Sequence, residues 1–251
     1  MSDAERYVRE VLVHVPAAFP ERRARIAADL RSHLAESVEA GESEAGAVRR
    51  MGDPEQVAAT FLDGAPLVPA APSDRLGAYL FDNTLFVTPV LAALALLAMN
   101  DAGRVAALRD PATPADQLIV AAIGIGSVAF SLLYFPLFET RSGQTPGKRL
   151  FGIAVVKASG TAVRLGAALL RRLPSFFSFA LLDALFVPFT ARRQRAFDMV
   201  AGTVVVRASL PPRRGLAWVM TGVLVLAAAA ATVTLVSATP GGMAALQEAG
   251  D

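Results

Sequence analysis

Apolar residues follow two rhythms along this chain, and the rhythm changes near residue 72. Before that point they recur every three or four positions among charges. Tyr7, Val8, Val11, Leu12 and Val15 form one set. Ile26, Leu30, Leu34 and Val38 form another, between Pro20 and Gly41. This spacing predicts amphipathic helices, since 3.6 residues per turn places these positions on one face. Ser43 can cap a third helix carrying Val48 and Met51. Asp53-Pro54-Glu55 reads as the start of a fourth: a capping acid, a proline at the first helical position, and an acid in the first turn. Val57, Phe61 and Leu62 would supply its apolar face. Four short amphipathic helices can share one small core, so residues 1–70 are expected to form a compact helical domain.

After the proline-rich linker APLVPAAPSD the apolar residues run on without a break. Crossing about 30 Å of hydrocarbon takes about 20 mostly apolar residues. Residues 76–99, 117–138 and 216–238 meet that length, and only the first carries a charge, Asp82. A shorter run, 173–190, contains Asp183 and has Pro174 and Pro188 near its ends. The loop 140–172 has seven basic residues and no acid, and the segment 191–215 has six arginines against Asp198. Both are expected on the cytoplasmic side, because basic loops stay inside. Run 173–190 is then flanked by cytoplasmic segments at both ends. It is expected to re-enter the membrane or to lie at its interface, with Asp183 near the tip, deeper than Asp82. GIAVVKASGTAV (152–163) reads as strand, turn and strand, and TVVVRA (203–208) as a third strand. Short strands need partners, which also places both segments on one face of the membrane. The expected fold class is an α-helical integral membrane protein. It would have a small soluble N-terminal helical bundle, three to four membrane segments and a small cytoplasmic β-strand cluster.

Composition agrees. Of 251 residues, 54% are hydrophobic and 18% charged, with mean hydropathy +0.46, which excludes disorder and points away from an ordinary soluble domain. A net charge of +2 makes no strong field, so no nucleic-acid partner is expected. Cysteine is absent, which removes disulfides, thiolate metal sites and a cysteine nucleophile. His14 and His33 are the only histidines, and both lie in the soluble half, where they read as solvated or packed side chains. No metal site, cofactor or catalytic set is visible, so the expectation is a protein that is not an enzyme.

Specific motifs then suggest two families. GESEAGAVRRMGDPEQVAATFL, with the Glu/Arg-rich helix before it, resembles the HAAS-type helical domain of bacterial membrane proteins over about residues 5–63. That resemblance implies a cytoplasmic regulatory or interaction module. Arg75-Leu-Gly-Ala-Tyr-Leu-Phe-Asp82, Gly143-Gln-Thr-Pro-Gly-Lys-Arg149, the strand GIAVVK, Leu170-Arg171-Arg172 and Arg193-Gln-Arg-Ala-Phe-Asp198 resemble the RDD family over about residues 73–208. Arg75, Asp82 and Asp198 take the family's naming positions. The resemblance implies a multi-pass protein of the bacterial inner membrane with its N-terminus in the cytoplasm. For some members it also implies cation/proton antiport. Residues 216–238 would be an additional C-terminal transmembrane helix outside that domain.

Read as chemistry, Arg75 and Asp82 are seven apart and share a helix face, about 10 Å apart along the axis. An ionised Asp in hydrocarbon needs a partner, water or a proton. Asn83 beside it and the arginines 192–195 are the candidates for Asp82. Arg75, Asp82, Asn83, Asp183 and Asp198 therefore form the candidate transport site or structural polar cluster. Gly143, Thr145, Pro146, Gly147, Lys148, Arg149 and Arg193 form the cytoplasmic motif. Its spacing fails the phosphate-loop pattern, and Thr145-Pro146-Gly147 reads instead as a tight turn with Gly147 at the positive-φ position. Glu139 reads as a solvated helix end. RLGAALLRR (164–172) is basic and amphipathic and could lie on an anionic leaflet. Gly124, Gly126, Ser127 and Ser131 read as small residues that let helices pack closely within one chain.

Two functions stay open. One is transport of a small ion or solute through a site involving Asp82, as a homo-oligomer, because three spans are few for a transporter. The other is a membrane-anchored signalling or scaffold protein whose residues 1–70 bind a cytoplasmic regulator. Either works in contact with the lipid bilayer.

Overall fold

The structure, a computed structural model, describes residues 1–176, 183, 185–209 and 211–238. They form two compact units. The first comprises Met1–Arg75 and Tyr134–Pro212, and the second Leu76–Leu133 with the residues from Arg213 onward.

The first unit begins with four helices, α1 (Asp3–His14), α2 (Pro20–Glu39), α3 (Glu44–Met51) and α4 (Pro54–Leu62). Their starts follow the local chemistry. The Ser43 side chain accepts from the Gly46 N–H, and Asp53 accepts from the Gln56 N–H before Pro54. Tyr7, Val8, Val11, Val15, Ile26, Leu30, Leu34, Ala58 and Leu62 form one core. Val38 and Phe61, expected inside, are exposed. Each sits at the far end of its helix, where no neighbouring element covers that face.

Strands β1 (Ile153–Lys157) and β2 (Thr203–Arg207) pair antiparallel, Val155 opposite Val205. The expected partner strand within 152–163 does not form. The Gly160 N–H closes a turn onto Lys157 O at 2.8 Å, and Ala162 then donates to His14 O in the helical module. The other edge of β2 is taken by the linker. Ala70 donates to Val205 O, and Arg207 donates to Val68 O, both at 2.9 Å. The proline-rich stretch is thus a short third ribbon and not a free spacer. The outer edge of β1 is covered where Val155 donates to Gly143 O. Neither edge is left open to pair with another chain.

Helices α5 (Pro72–Asn100) and α7 (Pro114–Ser142), joined through α6 (Ala102–Arg109), carry two of the apolar runs, and α12 (Arg214–Ala238) carries the third. All three are long and apolar enough to cross a membrane, and they expose most of their apolar surface. Within the second unit Phe86 stacks on Phe130 with centroids 3.9 Å apart, and Thr88 donates to Leu224 O. A Cβ added at Gly124 or Gly126 would meet nothing within 4 Å among the described residues, so these two glycines make no close helix contact there. Between the strands lie α8 (Pro146–Leu150), α9 (Leu165–Leu170), α10 (Leu173–Phe176), a 3-10 turn (Val187–Phe189) and α11 (Ala196–Val200). The expected membrane hairpin 173–190 falls partly outside the described residues.

Candidate functional site

A buried chain of charges runs through the first unit. Asp198 stands at its centre, in the first turn of α11. Its Oδ1 accepts from Arg171 Nε at 2.8 Å, and its Oδ2 accepts from the Arg195 N–H at 3.2 Å. Arg75 Nη1 lies 3.6 Å from the same Oδ2. That is ion pairing without a direct hydrogen bond. Arg75 Nη2 donates to Val205 O at 3.1 Å, while its buried Nε and Nη1 have no hydrogen-bond partner among the described residues. Arg171 reaches on from Asp198 to Glu139 Oε2 at 3.0 Å, and the other oxygen of Glu139 is held by Lys148. The guanidinium of Arg172 lies 3.6 Å from the centroid of the Phe135 ring. The order Lys148–Glu139–Arg171–Asp198–Arg75 alternates in sign, so each buried carboxylate meets two cations.

The electrostatics follow from that order. Burial pushes the Asp198 carboxyl up, but the charges of Arg171 and Arg195 and the hydrogen bonds outweigh it and hold it below the usual carboxylate range. Burial likewise disfavours the Arg171 cation, yet Asp198 and Glu139 more than compensate and raise it. Both groups are locked in their charged forms.

Backbone geometry holds the network in place. Gly143, at φ +74°, turns the chain out of α7, and a Cβ there would meet Val155 O at 2.8 Å. The Thr145 side chain caps α8, accepting from the Lys148 N–H, and this aims Lys148 back at Glu139. The motif Gly143-Gln-Thr-Pro-Gly-Lys-Arg149 is therefore a turn and helix cap with its positive-φ glycine at 143, whereas the expected tight turn put that role at Gly147. Gln144 Nε2 donates to Ile153 O, and Gln194 Nε2 to Thr203 O, which ties the loops to the two strands. Arg193 holds φ +50°, rare for a side chain other than glycine or asparagine, and is exposed together with Arg149.

A second polar contact joins the helical module to the sheet. Glu55 accepts from Lys157 Nζ at 2.9 Å and is also paired with Arg164. The bond from Lys157 is the main influence holding the Glu55 carboxyl below its ordinary range. Beside it Phe19, 6% exposed, packs with Ala18 against Ala154, Val156, Val204 and Val206. A cleft lined by Leu62, Asp63, Leu67, Ser159, Arg192 and Val204 opens where module, linker and sheet meet.

Of the residues singled out in the sequence, Arg75 and Asp198 come together, and Asp183 joins them through α11. Asp183 Oδ1 accepts from the Phe197 N–H at 2.8 Å. Asp183 is buried and acts as a staple onto α11. Asp82, 1% exposed, lies on α5 in the second unit. The Asn83 amide nitrogen donates to Tyr79 O one turn back. Glu139 is buried and doubly paired, contrary to the solvated reading. One signal could have found it: it is the acid directly before a loop of seven basic residues and no acid. Arg171 and Arg172 turn into the protein, so of the three arginines in the expected basic run 164–172 only Arg164 stays exposed. Phe19 and Glu55 carry no distinctive sequence signal, because a lone Phe and an N-terminal Glu are ordinary in a helical domain. Among the described residues no group of acids and histidines could hold a metal ion.

Comparison with known families assigns the two halves. Residues 69–202 match the RDD family and residues 6–60 match HAAS. No curated protein and no solved structure matches the chain.

Proposed function

We propose that this chain, which belongs to the RDD family, is a non-enzymatic, membrane-anchored scaffold whose HAAS module presents a binding surface to a cytoplasmic regulator. The observation that carries this reading is the seat of the module. Phe19 fills the apolar face of the two RDD strands, and Glu55 bridges to Lys157 and Arg164, so both families' residues fall in one compact unit. Such a seat ties the state of the module to that of the membrane domain. The cleft at the junction offers a partner a mixed lining, Leu62, Leu67 and Val204 with Asp63 and Ser159.

The central network supports the same reading. A transported cation would have to displace guanidinium or ammonium groups from Asp198 and Glu139, and charge pairs of this kind serve structure. The basic loop 140–172 favours the cytoplasmic side, and the helical module shares a unit with that loop, which supports a reading with the module inside.

A second reading rests on Asp82. A buried acid on a spanning helix is the natural carboxylate for cation/proton exchange. The deciding experiment measures proton movement in everted vesicles on addition of Na⁺, Li⁺ or K⁺, with wild type and Asp82→Asn at matched expression. The scaffold reading expects no cation-dependent movement in either protein. Movement in wild type that disappears in Asp82→Asn overturns it in favour of exchange.

A further inference from the structure

The first unit contains the end of a membrane span, so the bilayer boundary must pass through it. Tyr134–Ser142, the last turns of α7, belong to this unit, and Leu137 and Phe138 there are exposed. The charge network fixes what lies at that level. Arg172 covers Phe135, Arg171 reaches Glu139, and Arg171 also holds Asp198. Phe135 is seven residues before Ser142, about 10 Å along a helix. Asp198 and α11 therefore sit beside the last two turns of the span, at headgroup depth and not out in the aqueous phase.

One segment hangs from α11 at this level. Asp183 accepts from the Phe197 N–H and pins the segment from inside, and Val187 is also buried. Between and beyond them the large apolar side chains point outward: Leu185 is 59% exposed, Phe186 47% and Phe189 85%. Arg192 and Arg193 follow at once, both exposed. In a soluble protein three such residues in five positions would be a liability. Here apolar side chains beside an arginine pair, at the end of a span, fit a boundary where acyl chains meet phosphate.

We infer that residues 185–193 form an interfacial anchor, with Leu185, Phe186 and Phe189 entering the acyl boundary and Arg192 and Arg193 binding the headgroups of anionic phospholipid. The anchor needs no crossing of the membrane and keeps both flanks on one side. It would also fix the height of α11, and with it Asp198, against the bilayer.

The test uses the full chain in nanodiscs of phosphatidylglycerol and phosphatidylcholine in equal amounts, with bromine on the acyl chains of one lipid at a time. Trp218, the chain's one tryptophan, is replaced by Trp218→Phe, and the probe is Phe189→Trp, a mild change at an exposed site. The expected emission is blue-shifted and quenched by both brominated lipids, several-fold more strongly by phosphatidylglycerol. Each arginine near an anionic surface contributes about fivefold, or about 1 kcal/mol. Arg192→Gln with Arg193→Asn, the latter chosen because Asn tolerates the positive φ, should therefore bring the two lipids to parity. Water-like emission quenched by aqueous iodide would overturn the inference. So would emission reached by neither iodide nor bromine, which would mean that protein, such as a second copy, covers the segment. Equal quenching by the two lipids before the arginines are changed would overturn the headgroup assignment.

Discussion

Asp198→Asn is the sharpest perturbation of the buried network. It keeps the shape of the side chain and removes its charge. The retained oxygen can still accept from the Arg195 N–H, but the new amide faces Arg171 Nε, where donor meets donor. With an effective dielectric of about 20, the gross attractions lost are about 6 kcal/mol at 2.8 Å and about 5 kcal/mol at 3.6 Å. Much of this is offset by desolvation, and breaking one partner of a buried pair costs about 3–5 kcal/mol. Two compact units need not unfold together, so the readout must be local. Hydrogen exchange of peptides covering 153–157 and 203–207, in the full chain in nanodiscs, reports opening of the sheet that Arg75 also binds through Val205 O. The expected change is faster exchange by roughly two to four orders of magnitude in those peptides. Double-mutant cycles with Arg171→Met and Arg75→Met should give the larger coupling for Arg171, which bonds directly where Arg75 does not. Acceleration of less than tenfold, or equal couplings, would refute the claim that Asp198 anchors the sheet through its charge.

Further outcomes follow from the same geometry. Because the folded Asp198 carboxyl titrates below its usual range, its stabilisation is complete above about pH 4, the unfolded value, and is lost as pH falls through the folded value. Protection of the sheet amides, measured relative to the intrinsic exchange rate at each pH, should therefore fall at acid pH in wild type, and this contribution should be absent in Asp198→Asn. Phe19→Ala should weaken the seat of the helical module by about 3 kcal/mol, read as faster exchange in residues 204–206 with the α1–α2 core unchanged. Glu55→Lys places a cation against Lys157 and Arg164, so it should loosen the same seat, with an effect that shrinks as salt rises. Gly143→Ala should destabilise the β1 edge by about 2 kcal/mol or more, from the positive φ and the contact with Val155 O, read in the same peptides. Arg193→Cys, the sole cysteine in the chain, should resist membrane-impermeant maleimide in intact cells; labelling from outside would reverse the proposed orientation.

The sequence by itself determined whatever depends on neighbours along the chain. Helical spacing marked α1 to α4, Ser43 and Asp53 marked their starts, and length with hydropathy marked the three spans. Each is a local or one-dimensional property, and each can be read without knowing what lies opposite. Arg75 and Asp198 stand out through their resemblance to the naming positions of the RDD family, which is a likeness of sequence and needs no knowledge of the fold. Pairing was different. Arg75 and Asp82 share a helix face but lie too far apart to bond, and nothing in the spacing points from Arg75 to its described partner Asp198, more than a hundred residues on. Strand β1 was given the next segment as its partner and took β2, since a sheet edge is filled by whatever the fold brings alongside. Glu139 reads as solvated along the chain, and only the fold closes Lys148 and Arg171 over it. The seat of the helical module, Phe19 on the strands and Glu55 on Lys157, left no trace in spacing at all. Burial and charge pairing are properties of what surrounds a residue in three dimensions, and only the tertiary structure decides them.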